Sequence, residues 1–122
     1  MTRKRSNAPV FWALFGAGGA LAALLGPVLV FITGIVTPVG IWMPQSALSY
    51  DRLLAFSQHW AGKAALFVIV SLFFWHAAHR ILHSLHDVGI HIHAGMAAKL
   101  LCYGSALLGT VIAAAALLAI GF

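Results

Sequence analysis

Acidic side chains are almost missing from this sequence. Asp51 and Asp87 are the only two in 122 residues. Cysteine occurs once, as Cys102, so the chain can form no internal disulfide and no cysteine-rich cluster site. Charge of either sign is scarce: 7% of the residues are Asp, Glu, Lys or Arg, against 62% hydrophobic. A soluble domain of this length needs a polar surface, and this chain cannot make one. There is also no nucleotide-binding loop, no cysteine cluster and no pair of carboxylates placed for acid–base work. Catalysis by the chain alone is therefore not expected. No internal repeat, linker or low-complexity tail interrupts the sequence.

What the chain does have is long apolar runs. Lipid solvates apolar side chains, and a helix satisfies its own backbone, so a bilayer removes the need for a polar surface. A spanning helix takes about 20 mostly apolar residues. The sequence predicts an all-α membrane protein, a single membrane-anchor domain over residues 1–122 with three transmembrane helices over about 10–39, 58–88 and 96–120. The first run follows Arg3, Lys4 and Arg5 as a secretory signal would. It is far longer than the roughly 7–15 apolar residues of a signal, so a retained span is expected. Pro27 is expected to kink it, and Gly16, Gly18, Gly19 and Gly26 would let a neighbouring helix approach closely. Cys102 lies within the third run and reads as a small packing residue.

The first connection contains Pro44, Gln45 and Ser46, which favour a turn. Ser49 is a candidate N-cap for a short amphipathic piece before the second span. Trp42, Tyr50 and Trp60 fit an aromatic belt at a membrane surface. The second span runs on from Ala78 into Arg80–Asp87 without a breaker, and Gly89 is the expected stop. Arg3, Lys4, Arg5, Arg80 and Lys99 fall on one side of a three-span arrangement, with Arg52 and Lys63 on the other. The positive-inside rule then places the N-terminus in the cytoplasm and the C-terminus outside, which in a Gram-negative bacterium is the periplasm. The net charge of +5 is thus explained by topology, and no nucleic acid partner is expected.

The unusual segment is WHAAHRILHSLHD, Trp75–Asp87. His76, His79, His83 and His86 fall within an arc of roughly 80°, widened to about 120° by Arg80 and Asp87. Such a stripe facing lipid is costly, so it should face a partner, a bundle interior or water. His83, His86, His91 and His93 suit an interfacial helix end whose side chains reach the headgroups. His76 lies deeper and could hydrogen-bond between helices. His79 and His83 have the spacing of a zinc pair, and His91 and His93 could pair in a loop, but no cysteine or acidic ligand beyond Asp87 completes a set. A b-type haem would need a second axial imidazole from another subunit, because the first and third spans contain no histidine. A quinone needs hydrogen-bond donors for its carbonyls, a proton-carrying group and flat apolar walls. His79 can donate or accept, Arg80 can stabilise negative charge, and the Trp12 indole N–H can donate to a carbonyl. Sequence makes Trp12, His79 and Arg80 neighbours in depth.

Three blocks carry a family resemblance: KRSNAPVFWALFGAGG (Lys4–Gly19), ALSYDRLLAFSQ (Ala47–Gln58) and HRILHSLHDVGIHIHAG (His79–Gly95). In this order they resemble the D-type subunit of bacterial quinol:fumarate reductase, a small membrane anchor of a four-subunit inner-membrane complex. The third span matches only in being apolar. The resemblance implies partners: a flavoprotein with FAD, an iron–sulfur subunit and a second, C-type anchor. It implies that menaquinol gives up electrons at a subunit interface for fumarate reduction in anaerobic respiration, and that no haem is carried. By position, Trp12, His79 and Arg80 correspond to family residues lining the menaquinone pocket. His83, His86 and Asp87 match the block without an implied role, and His93 inherits nothing. Three other readings stay open: a haem b anchor of a succinate dehydrogenase, a purely structural anchor, and a small transporter, the last weakened by the want of an intramembrane acid.

Overall fold

A computed structural model describes residues 8–89 and 95–122. Among them the only regular structure is helical. The expectations placed on Arg3, Lys4, Arg5, His91 and His93 lie outside these residues, as does anything about the side chain of His86. Helix α1 spans Ala8–Phe31 and continues through Pro27. A wide turn, Ile32–Val36, follows, in which the Thr37 N–H reaches back five residues to the carbonyl of Ile32. One further turn, α2 (Thr37–Val39), ends at Gly40 in the left-handed region (φ 75°), which glycine adopts without steric cost.

The first connection holds a 3₁₀ turn, Gln45–Leu48, and helix α3, Tyr50–Gln58. Ser49 stands at the N-cap of α3 in extended conformation, but its hydroxyl does not cap the helix. The Gln45 side chain donates to the Pro38 carbonyl at 2.9 Å and ties the connection to the first span. Trp42, Tyr50 and Trp60 are all exposed there. Helix α4, Trp60–Asp87, is the longest at 28 residues. Gly89 follows it with φ 75°, the expected stop. Helix α5 is Gly95–Ala119.

Three segments are long and apolar enough to cross a membrane: Pro9–Val39, Trp60–Leu85 and Gly95–Ala119. Helix α4 is the centre of the arrangement. Both α1 and α5 pack on it, and among the described residues they share no extensive surface with each other. The contacts are made by small residues, as is usual where lipid removes the hydrophobic drive between helices. Ala78 and Ala106 are buried where α4 meets α5, and the Phe74 ring lies 3.0 Å from where a Gly109 side chain would begin. Against α1 the approach is closer. A Cβ on Gly18 would come within 2.5 Å of the Leu72 carbonyl oxygen, and one on Gly19 within 2.9 Å of the His76 ring.

At the far end, Lys63 is buried although it is charged. Its ammonium donates to the carbonyls of Leu117 at 2.6 Å and Gly121 at 2.7 Å and sits 4.5 Å from the centre of the Phe122 ring. Carbonyls left unpaired at a helix C-terminus carry partial negative charge, so this lysine both satisfies and neutralises the end of α5.

Candidate functional site

The histidine stripe of α4 faces α1 and α5, and each imidazole meets a different environment. His76 is the deepest of the three described side chains. Its Nδ1–H donates to the Phe15 carbonyl at 3.1 Å, and its ring stacks on that of Phe15, with centres 4.8 Å apart and planes at 11°. The notch that receives it exists because residue 19 is glycine. His76 is therefore a helix-to-helix fastener, as its depth suggested.

His79 lies one turn further along. The Phe15 ring is 4.4 Å from it, so Phe15 is held between two imidazoles. Trp12 stands edge-on to the His79 ring at 6.3 Å. From the opposite side, α5 brings the Tyr103 hydroxyl within 2.9 Å of His79 Nδ1. This bond fixes the imidazole's orientation and leaves Nε2 as the nitrogen open to a ligand. His83 follows, with its ring 4.3 Å from that of His79.

Between the three spans runs an open groove of about 940 Å³. Phe11, Trp12, Trp75 and Tyr103 form aromatic walls, His79 and His83 lie along its length, and Lys99 supplies the cation. Its size and its few polar groups among apolar walls suit a flat aromatic ligand. Trp12 and His79 are brought together here. Arg80 is not part of the same wall: it does not line the groove, since one residue further along α4 turns the side chain by about 100°. Among the described residues no three histidine, cysteine or acidic side chains converge to hold a metal.

Tyr103 and Lys99 were not singled out from the sequence. Their spacing of four puts them on one face of α5, and an antiparallel pairing that sets Tyr103 opposite His79 also sets Lys99 opposite His83. That spacing was the available signal, but it is short and sits in an otherwise apolar run.

Comparison with known proteins bears on what this groove serves. The family model described as the D-type subunit of fumarate reductase matches residues 2–118. The fumarate reductase subunit of this type from Aliivibrio salmonicida (strain LFI1238) is 45% identical over 111 residues, covering 89% of this chain and 88% of the relative. The protein of the same description from Vibrio cholerae serotype O1 (strain M66-2) is 44% identical over 115 residues, 93% of this chain and 82% of its own length. That of Shewanella putrefaciens (strain CN-32 / ATCC BAA-453) is 43% identical over 111 residues, 90% and 88% respectively.

Proposed function

From the premise that this chain belongs to the family of D-type fumarate reductase subunits, membrane anchors of that complex, we propose that it holds the flavoprotein and iron–sulfur subunits at the inner membrane beside a C-type anchor and supplies part of a menaquinol site. The N-terminus lies in the cytoplasm on this reading, which rests on the distribution of basic residues. The observation that carries the site is the convergence of Trp12 from α1, His79 from α4 and Tyr103 from α5 on one aromatic-walled groove.

The residues present fit a quinone. Flat rings wall the groove, the imidazoles of His79 and His83 line it, the former with Nδ1 held by Tyr103, and a lysine lines the same space. A bound menaquinol supplies two electrons and two protons to the complex. Trp12 would orient one oxygen through its indole N–H. His79 would accept a hydroxyl proton at Nε2 while Tyr103 keeps the ring in place. Lys99 within the groove would favour negative charge on a ring oxygen, and Arg80, outside its lining on the neighbouring face of α4, would add to this at longer range.

The test uses two electron donors to the assembled four-subunit complex. His79→Ala and Arg80→Ala are expected to slow menaquinol-driven fumarate reduction, while a soluble dye that feeds electrons directly to the catalytic subunits still drives it. Equal loss with both donors would mean failed assembly. Unchanged menaquinol kinetics in Trp12→Phe, His79→Ala and Arg80→Ala would leave the chain a structural anchor only. A reduced-minus-oxidised spectrum with a b-type band that vanishes in His76→Ala or His79→Ala would replace the reading by a haem-bearing one.

A further inference from the structure

We propose that His83 is the proton outlet of the groove, receiving from His79 the proton that His79 takes up and passing it to water at the membrane surface. The inference rests on the menaquinol reading above. A proton removed from a hydroxyl inside an apolar groove cannot stay on His79, because the next turnover needs that nitrogen free. It must leave through groups that can both accept and donate.

Few of this chain's groups in or beside the groove qualify. On α1, Phe11 and Phe15 carry no exchangeable side-chain proton, and Trp12 only donates. On α5, Lys99 as an ammonium has no lone pair to accept with, and the Tyr103 hydroxyl meets His79 at Nδ1 rather than at the Nε2 that takes up the proton. On α4, His76 is fastened to the Phe15 carbonyl and lies deeper than His79. His83 remains. Its ring is 4.3 Å from that of His79, it lines the same groove, and it is exposed. It also stands two residues from Leu85, where the apolar span ends. Asp87, exposed one turn further on, offers a carboxylate beyond it.

The step balances without any further reactant. Each of the two hydroxyl O–H bonds breaks in turn, its proton forming an Nε2–H bond on His79, while the two electrons leave one at a time for the iron–sulfur centres of the partner subunit; His79 must discharge the first proton before it takes the second. The proton then moves from His79 to the neutral ring of His83, directly or through a bridging water, and from there to solvent.

The experiment compares His83→Ala with His79→Ala in the assembled complex. Menaquinol turnover is normalised to the dye-driven rate, and the Kd of a fluorescent naphthoquinone analogue is measured separately. His83→Ala is expected to lower turnover at least about tenfold, within the range of general acid–base effects, with the analogue's Kd changed by less than about twofold. Free imidazole in the buffer should restore turnover in His83→Ala, and His83→Gln, which keeps a polar side chain but cannot relay, should be equally slow. Normal turnover in His83→Ala beside a slow His79→Ala would overturn the relay and leave the menaquinol reading standing. Normal turnover in both would remove that reading as well. Loss of analogue binding together with turnover would make His83 a binding residue and overturn the relay.

Discussion

Gly18→Ala adds one methyl group and is expected to disturb the groove from a residue that does not line it. The new Cβ would lie 2.5 Å from the Leu72 carbonyl oxygen and 2.8 Å from the His76 Cβ, where ordinary contact begins at 3.4 Å. Both obstacles are close to the backbone of α4 and cannot swing aside, so α1 must back away by about 0.9 Å. The same displacement stretches the 3.1 Å bond from His76 to the Phe15 carbonyl beyond hydrogen-bond range. Overpacking of this kind costs about 1–3 kcal/mol and the lost bond about 1 kcal/mol, giving roughly 2–4 kcal/mol at the α1–α4 contact. Phe15 then loses its seat between His76 and His79, and Trp12, one turn away, shifts with it. The assay is the Kd of a quinone analogue together with the thermal midpoint of the purified complex; both should worsen. Gly16→Ala is the control, because no atom lies within 4 Å of its Cβ. Equal behaviour of the two variants would refute the idea that this glycine sets the approach of α1.

Tyr103→Phe removes the hydroxyl from His79 Nδ1 and keeps the aromatic wall. Menaquinol-driven turnover should fall about tenfold, the worth of roughly one hydrogen bond, with dye-driven turnover as the assembly control. Lys63→Met leaves the carbonyls of Leu117 and Gly121 without their donor, at a cost of about 2–4 kcal/mol for two charge-assisted bonds partly replaced by water. Faster hydrogen exchange at the end of α5, with menaquinol kinetics unchanged, is the expected result. Gly62→Ala should weaken the α3–α4 corner, since its Cβ would collide with the Phe56 carbonyl oxygen; a lower thermal midpoint checks it.

The helices were legible because lipid-solvated spans declare themselves by length and apolarity alone, and Gly89 marked a real end. Trp12 and His79 were legible as a pair at one depth, and the fold joins them. Arg80 lies at the same depth but outside the lining of the groove. Its place on a stripe about 120° wide made it a neighbour of His79, yet a groove admits only part of such an arc, and α1 and α5 decide which part. Tyr103 and Lys99 were hidden for the opposite reason: their spacing of four is a short mark of which face of α5 meets α4, in an otherwise apolar run. The three blocks that carried the resemblance helped least there, since they end at Gly95, although the family match itself runs on to residue 118.

The wide turn at Ile32–Val36 carries a consequence for insertions and deletions. It holds one residue more than a regular helix needs over the same rise, a small reserve of chain within the first span. Removing Thr33 or Gly34 would let the segment close into ordinary α-helix, leaving Phe15 and Gly18 still turned towards His76 and the buried Val36 and Thr37 still turned inward. Removing Ala22 instead would rotate everything before it by about 100° and carry Phe15 off its histidines. Length variation in this span should therefore be tolerated at that one turn and selected against on its N-terminal side.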